Sequence, residues 1–102
     1  MIELIERQLP RIEAICRRRH VLRLELFGSA TGPHFDPKRS DLDFLVEFVP
    51  DRPLDLVEAY FGLHEDLEGL LERPIDLVMT SAIKNPFFLA TVNESRQLLY
   101  AA

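Results

Sequence analysis

The sequence predicts an α/β fold in which helices pack on one small mixed β-sheet. Two kinds of segment follow one another along the chain. In one kind apolar and polar residues alternate, as in strands, and in the other kind apolar residues recur at helical spacing. The resulting order, α-β-loop-β-α-β-α, is typical of helices packed on a sheet. At 102 residues, of which 47% are apolar and 28% charged, we expect a single domain, residues 1–102, around one core.

The first two elements are predicted from apolar spacing. Steps of three and four separate the apolar residues that predict the first helix: Ile2, Ile5, Leu9, Ile12 and Cys16. Pro10 interrupts this face, so either the helix is kinked there or a short turn precedes a main helix that begins near Pro10. The segment 21–27 alternates cleanly, with leucines on one face and Arg23 and Glu25 on the other, and predicts a strand.

The middle of the chain predicts a strand, a helix and a strand. Alternation over 41–49 predicts the second strand, which ends at the proline-rich segment 50–53. Leucines at helical spacing predict a helix from Leu56 to about Glu72, and segment 74–79 predicts a third, short strand.

The last helix is predicted from its capping residues. Asn85 is a good N-cap and Pro86 a good first helical residue. We expect this helix to bury Phe88, Leu89 and Val92, and the adjacent Phe87 to belong to the core with Phe88. The segment 97–100 then either returns as an edge strand or docks on the core.

Composition and charge exclude several classes of protein. No apolar run approaches the ~20 residues of a membrane span, and the acidic N-terminus does not resemble a secretory signal. The lone Cys16 cannot form an internal disulfide, so we expect a small core residue in a cytoplasmic protein. A net charge of −5 argues against direct nucleic-acid binding but not against binding a nucleotide with its metal ion.

Two aspartates one residue apart open the second predicted strand. Asp41 and Asp43 project from the same face of that strand, because side chains alternate with period two. Asp76 lies within the third strand, which one helical connection makes a neighbour of the second. Three carboxylates without a Cys or His cluster favour Mg²⁺ or Mn²⁺ over zinc. Two such ions are the usual catalysts of phosphoryl and nucleotidyl transfer.

A glycine and a serine end the first predicted strand. Gly28 lets the backbone approach a phosphate closely, and Ser29 offers a hydroxyl and a main-chain N–H. Taken alone, this pair is more often a strand-to-helix turn with a cap, and Asp41 alone could cap a turn or pair with Lys38 or Arg39. Asp43 and Asp76 lie within apolar strands, and an unpaired buried carboxylate is costly, so for them a functional role is favoured. His34 lies in the loop between the two motifs and is a weaker nucleotide candidate.

These motifs together resemble a known family. Phe27–Ser29 followed by Ser40–Asp43 and by the lone Asp76 resembles the minimal nucleotidyltransferases of the DNA polymerase beta superfamily, which often are antitoxin partners of HEPN-domain ribonuclease toxins. The resemblance extends over nearly the whole chain, since Ile83–Pro86 and Leu99–Tyr100 also match. It implies a polymerase beta-like fold and the transfer of AMP from Mg-ATP to a hydroxyl, with a tyrosine of a HEPN toxin as the expected acceptor.

The resemblance also implies roles for individual residues. Asp41 and Asp43 would bind both metal ions, and Asp76 would complete the catalytic metal site and help to activate the incoming hydroxyl. Gly28 and Ser29 would hold the triphosphate. Self-association through an exposed edge strand stays open, so a homo-oligomer is also considered.

The loop after the glycine and serine departs from the family pattern. Many relatives carry an arginine there, in a Gly-Ser-x-x-Arg-Gly arrangement, whereas this chain has Ala30, Thr31 and Gly32, with Lys38 or Arg39 as candidate replacements. Two functions are therefore considered. The first is an adenylyl-transferring enzyme, favoured by the three aspartates. The second is a catalytically weak or inactive antitoxin that neutralises its partner by stable binding, favoured by the missing arginine.

Overall fold

The computed structural model describes residues 2–33, 35–36, 38–50 and 55–102. His34 and most of the predicted break at 50–53 lie outside the described residues. The regular elements are helices α1 (Glu3–Arg18), α2 (Leu56–Leu71) and α3 (Pro86–Ser95) and strands β1 (Val21–Phe27), β2 (Leu42–Phe48), β3 (Ile75–Met79) and β4 (Gln97–Ala101). Short 3-10 turns at Gly28–Thr31 and Thr80–Ala82 follow β1 and β3.

The four strands form one mixed sheet in the order β3-β2-β1-β4. β1 pairs antiparallel with both β2 and β4, whereas β2 and β3 are parallel. A helical connection, α2, joins the two parallel strands, as the crossover between parallel neighbours requires. The predicted small mixed sheet with packed helices is confirmed, and the segment at 97–101 is an edge strand rather than a docked coil.

The main core lies between one face of the sheet and the helices α1 and α2. Alternate residues of β2 enter it, including Phe44 and Val46, and meet Ile12 of α1 and Leu63 of α2, all at 1% exposure or less. Cys16 is fully buried in the same cluster, as predicted, and burial raises the pKa of its thiol to about 12. This thiol is therefore an inert packing residue.

Helix α3 covers part of the opposite face. Phe27, Leu45 and Val92 form a second small cluster there, with Val78 and Ile83 packed against it. The rest of this face remains open, and it carries the polar residues of β2 and β3. The site described below lies on this open face.

Capping and packing explain the ends of the helices. Asn85 accepts from the backbone N–H groups of Phe87 and Phe88, and Pro86 is the first residue of α3, as predicted. The carboxylate of Asp55 caps α2 in the same way. Helix α1 runs without interruption through Pro10, because buried residues on both sides of the proline hold the helix against the core. This excludes a main helix that begins near Pro10.

Two predictions about buried and exposed side chains are wrong. Only Val92 of the three residues expected inside α3 is buried, since Phe88 is 40% and Leu89 37% exposed. Phe87 is 83% exposed, so this pair of phenylalanines is not core. Helix α3 buries Val92, while in its first turn Phe88 contacts Phe27 of β1 edge-to-face, with ring centroids 6.1 Å apart, and Phe87 is exposed. None of the described helices is long and apolar enough to cross a membrane.

Candidate functional site

The site is built around two aspartates on neighbouring strands. Asp43 of β2 and Asp76 of β3 are direct partners in the parallel register, and their carboxyl groups are within hydrogen-bonding reach of each other. Neighbouring strands lie roughly 4.8 Å apart, so side chains at paired positions on one face come into contact. The prediction that the second and third strands bring these two aspartates together is therefore confirmed.

The surroundings of Asp43 disfavour its charge. Burial raises the pKa of Asp43 to about 6, and the hydrogen bond to Asp76, the charge of Asp76 and the charge of Asp41 act in the same direction. Among the described residues, no salt bridge joins a basic side chain to any of these three aspartates. Two adjacent carboxylates without a counterion resist joint ionisation.

Asp41 contributes less to this arrangement. It is exposed and lies just before the first residue of β2, and its charge has the smallest of the four effects on Asp43. Within the described part of the chain, no three His, Cys, Asp or Glu side chains form a group that could hold a metal ion. The structure thus contains a close pair with a third carboxylate nearby, and the three-residue metal site stays a prediction.

The donor set of the pair nevertheless suits a divalent cation. Carboxylate oxygens are hard ligands, which Mg²⁺ and Mn²⁺ prefer. Asp43 is partly buried beside Asp76 with no described salt bridge, so a cation bound there would relieve a repulsion that the protein leaves uncompensated.

Asp76 is more exposed than the sequence indicates. Its neighbours Ile75 and Leu77 are buried, but Asp76 itself projects from the open face of β3. The expectation that burial makes this residue costly is therefore wrong. Its contact with Asp43, rather than its own desolvation, singles it out.

Gly28 lies against Asp43. Phe27, the last residue of β1, is paired with Asp43 across the antiparallel strands, and Gly28 follows it with a φ of +76°. A Cβ atom on Gly28 would lie 2.5 Å from Oδ2 of Asp43. Only glycine satisfies both demands, because it tolerates positive φ and leaves room for the carboxylate.

Both polar backbone groups of Gly28 are already engaged. Its N–H donates to Oγ of Ser95 over 2.9 Å, and its carbonyl accepts from the hydroxyl of Thr31 over 2.7 Å. Ser29, the next residue, is by contrast exposed. The sequence analysis missed Ser95, and nothing in the local pattern around a serine at a helix end indicates a contact 67 residues away.

A buried ion pair lies next to this contact. Glu25 of β1 is 3% exposed and receives two hydrogen bonds from Arg96, at 2.7 and 2.6 Å, and one from Arg23 at 2.9 Å. The hydrogen bond from Arg96 is the main reason that the pKa of Glu25 is lowered. The sequence analysis placed Glu25 on the polar face of the first strand but did not identify its partner.

The candidate replacements for the missing loop arginine do not act on Asp43. Lys38 and Arg39 are both exposed, and neither is among the groups that shift the pKa of Asp43. Their predicted contact with a triphosphate stays a prediction.

A cavity of about 530 Å³ opens at the other end of the sheet, between β2, β3 and the start of α2. Its lining includes Glu47, Leu56 and Met79, at or beyond the ends of the strands that Asp43 and Asp76 begin. The aspartate pair is therefore the better candidate site, because it brings two carboxyl groups into contact, whereas this cavity does not.

Comparison with known proteins agrees with this geometry. The family model described as "Nucleotidyltransferase domain" matches residues 9–99. A protein of Methanocaldococcus jannaschii that carries the name "Putative protein adenylyltransferase" is 36% identical over 73 residues, which are 70% of this chain and 68% of that protein.

Solved structures share the fold. A structure described as a "putative minimal nucleotidyltransferase" superposes with a TM-score of 0.73 at 26% identity, over 94% of this chain and 95% of that chain. The complex of a tri-AMPylated HEPN toxin with its MNT antitoxin, from Shewanella oneidensis, gives a TM-score of 0.64 at 20% identity, over 95% of this chain and 72% of the matched chain. A toxin–antitoxin structure with AMP-PNP gives a TM-score of 0.66 at 23% identity, over 92% of this chain and 73% of the matched chain.

Proposed function

This chain belongs to the nucleotidyltransferase domain family, and we propose that it transfers AMP from ATP to a hydroxyl group of a partner protein. The partner we propose is a HEPN ribonuclease toxin, modified on a tyrosine, so that the chain acts as an antitoxin in the cytoplasm. The name of the M. jannaschii relative and the AMPylated toxin in the S. oneidensis complex support this choice of reaction and partner.

One observation carries the proposal. Asp43 and Asp76 face each other on adjacent parallel strands, beside a glycine whose conformation and missing Cβ make room for them. A structural role would provide this pair with a basic partner, whereas the described residues form no salt bridge with it. The arrangement suits a site that receives its positive charge with the substrate.

The site residues have distinct proposed roles. Asp41, Asp43 and Asp76 would hold divalent ions, Mg²⁺ or Mn²⁺, and Ser29 with Gly28 would form the wall against which the triphosphate lies. When bound, such an ion would neutralise phosphate oxygens that the carboxylates would otherwise repel. Asp41 is exposed, so its side chain is free to turn toward the pair when a cation enters.

The proposed reaction is a displacement at the α-phosphorus of ATP. The hydroxyl oxygen of the acceptor forms a bond to that phosphorus, the bond from phosphorus to the bridging β-phosphate oxygen breaks, and pyrophosphate leaves. Asp76 is the more exposed member of the pair, and its carboxylate is placed to hold the proton that the hydroxyl releases. An open sheet face gives a protein acceptor access to this point.

Label transfer tests the proposal directly. The purified chain is incubated with ATP labelled at the α-phosphate, Mg²⁺ and the purified product of the neighbouring gene. We expect label on the partner with wild type and none with Asp43→Asn. Glu65→Gln, which removes an exposed carboxylate from α2, is the matched control and should leave the transfer unchanged.

The missing loop arginine supports a second candidate function. No basic residue is among the groups that shift the pKa of Asp43, and under this second function the triphosphate affinity is too low for turnover. The chain would then be an antitoxin that neutralises the toxin by stable binding alone. Tight binding of the partner without any label would favour this second function and contradict the first.

A further inference from the structure

Ser95 is the only side chain from α3 whose described hydrogen bonds reach the turn after β1. Its Oγ accepts from the N–H of Gly28 over 2.9 Å and donates to the carbonyl of Val92 over 3.4 Å. In the shorter contact Oγ of Ser95 is the acceptor, because the backbone N–H of Gly28 can only donate. Ser95 therefore connects the end of α3 to the turn after β1.

The next residue anchors the same end of the helix. Arg96 forms a two-point ion pair with the buried Glu25 of β1, three residues before Gly28, and its other terminal nitrogen binds Asn93. Paired, planar hydrogen bonds of this kind fix geometry as well as charge. Two consecutive residues, Ser95 and Arg96, thus hold α3 on β1 and on the turn that follows it.

The turn itself has little freedom once these contacts form. Gly28 has a φ of +76°, its N–H is bound by Ser95 and its carbonyl by Thr31. The N–H of Gly28 is its only hydrogen-bond donor, and because Ser95 accepts from it, it is not left for a phosphate oxygen. Gly28 also lies close to Asp43, since a Cβ atom on Gly28 would be 2.5 Å from Oδ2 of Asp43. Rotation of the Gly28 peptide would change this close approach.

We infer that Ser95 is a positioning residue for nucleotide binding, which holds Gly28 so that Ser29, and not Gly28, offers its N–H and hydroxyl to the polyphosphate. This inference rests on the proposed function and refines it, because it reassigns the role of Gly28. Gly28 provides clearance for Asp43 and a left-handed corner, and its N–H remains with Ser95 when nucleotide binds.

Two substitutions separate positioning from mere stability. Ser95→Ala removes the acceptor, and Ser95→Thr keeps the hydroxyl. Thr91→Ala is the matched control, since its hydroxyl is in the same helix but binds only the carbonyl of Phe87. The readouts are the affinity for AMP-PNP with Mg²⁺, measured by calorimetry, and the exchange rate of the Gly28 amide proton, measured by NMR.

We expect Ser95→Ala to weaken AMP-PNP binding about fivefold to tenfold, which is about 1–1.4 kcal/mol and is typical of one hydrogen bond, and to speed amide exchange at Gly28. Ser95→Thr and Thr91→Ala should bind as wild type does. If Ser95→Ala speeds exchange at Gly28 but binds AMP-PNP with wild-type affinity, Ser95 is only structural and the inference is wrong.

A measurement on the wild type covers the case in which Ser95→Ala does not fold. On addition of Mg²⁺ and AMP-PNP, the amide resonance of Ser29 should shift several times more than that of Gly28, and Gly28 should stay protected. The reverse pattern overturns the inference while leaving the proposed function intact. A wild type that fails to bind AMP-PNP at all would instead contradict the proposed function on which the inference rests.

Discussion

Asp43 and Asp76 occupy paired positions on adjacent parallel strands, with their carboxyl groups in contact on the open face of the sheet. The contact costs the protein stability, because burial and like charge both disfavour the ionised form of Asp43. A cost of this kind persists where a ligand offsets it. We therefore propose that this pair is the point at which the fold of the domain supports nucleotidyl transfer.

Removing one charge of the pair should not harm the free protein. We expect Asp43→Asn to leave the free energy of unfolding unchanged or to raise it by at most about 1 kcal/mol, the repulsion of two charges in contact at a water-like dielectric. Mg²⁺ with AMP-PNP at a hundred times its Kd should stabilise the wild type by about 2.7 kcal/mol and the variant much less. Thermal unfolding measures both, with Glu65→Gln as the control. A marked loss of stability in free Asp43→Asn would indicate a structural salt bridge.

The same pair predicts how stability depends on pH. Burial and Asp76 raise the folded-state pKa of Asp43 to about 6, above the roughly 3.9 of an unfolded aspartate. The folded chain thus binds more protons than the unfolded chain between these values, so the contribution of Asp43 to stability falls as pH rises from 4 to 6. Glu25 and Asp66, whose pKa values are lowered, act in the opposite direction in wild type and variant alike, so the fall should appear in the difference between wild type and Asp43→Asn. Denaturant unfolding at several pH values measures this difference. A difference that does not change between pH 4 and pH 6 would contradict the assignment.

Gly28 should tolerate no side chain. Gly28→Ala places a Cβ at positive φ and against Oδ2 of Asp43, so we expect a loss of about 1–3 kcal/mol in unfolding free energy and the loss of AMP-PNP binding. Gly69→Ala is the matched control. A Cβ there meets nothing within 4 Å in helix α2, and the change should stabilise the protein by about 0.5–1 kcal/mol. Wild-type nucleotide affinity in a folded Gly28→Ala protein would contradict the close contact with Asp43.

The buried pair of Glu25 and Arg96 should control stability in acid. Hydrogen bonding to Arg96 lowers the folded-state pKa of Glu25, so its contribution is fully present above the unfolded value of about 4.3 and is lost as pH falls through the folded value. We expect Arg96→Met to lower the free energy of unfolding by about 1.5–3 kcal/mol at pH 7, because Glu25, which is 3% exposed, then keeps only its hydrogen bond from Arg23.

Asp66→Asn is the comparison for this acid effect. Asp66 also pairs with two arginines, Arg18 and Arg19, but its side chain is 19% exposed against 4% for Glu25. Replacement of Asp66 should therefore lower the free energy of unfolding by less than Arg96→Met does, by about 1 kcal/mol or below. Chemical denaturation of Arg96→Met and Asp66→Asn at pH 7 and at pH 3 measures these losses. Equal losses in the free energy of unfolding would show that burial does not decide the strength of these ion pairs.

The sequence predicted the sheet and the aspartate pair well, because both depend on short-range patterns. Alternation in 41–49 and the short, otherwise apolar segment 74–79 defined two strands, and a helix between them made parallel pairing the expected outcome. Their starting positions then placed Asp43 beside Asp76. The start of α1 could not be predicted, because local rules disfavour Pro10 within a helix. Tertiary packing of the residues on both sides of Pro10 instead keeps the helix continuous.

The contacts of α3 could not be predicted in this way. Three apolar residues indicated a buried face, but the position of the helix over the sheet depends on Arg96 reaching Glu25, 71 residues away. That ion pair places the C-terminal half of α3 on the sheet, so Phe88 and Leu89 remain partly exposed. The bond between Ser95 and Gly28 depends on the same placement and has no signal in the sequence.

Manganese binding tests the central claim most directly. Mn²⁺ is titrated with AMP-PNP into wild type, Asp43→Asn, Asp76→Asn and Glu65→Gln, and free Mn²⁺ is followed by electron paramagnetic resonance. We predict nucleotide-dependent Mn²⁺ binding to wild type and Glu65→Gln that weakens at least tenfold when either member of the pair is replaced. Equal Mn²⁺ affinity in wild type and in both pair variants would contradict a metal–nucleotide site at Asp43 and Asp76.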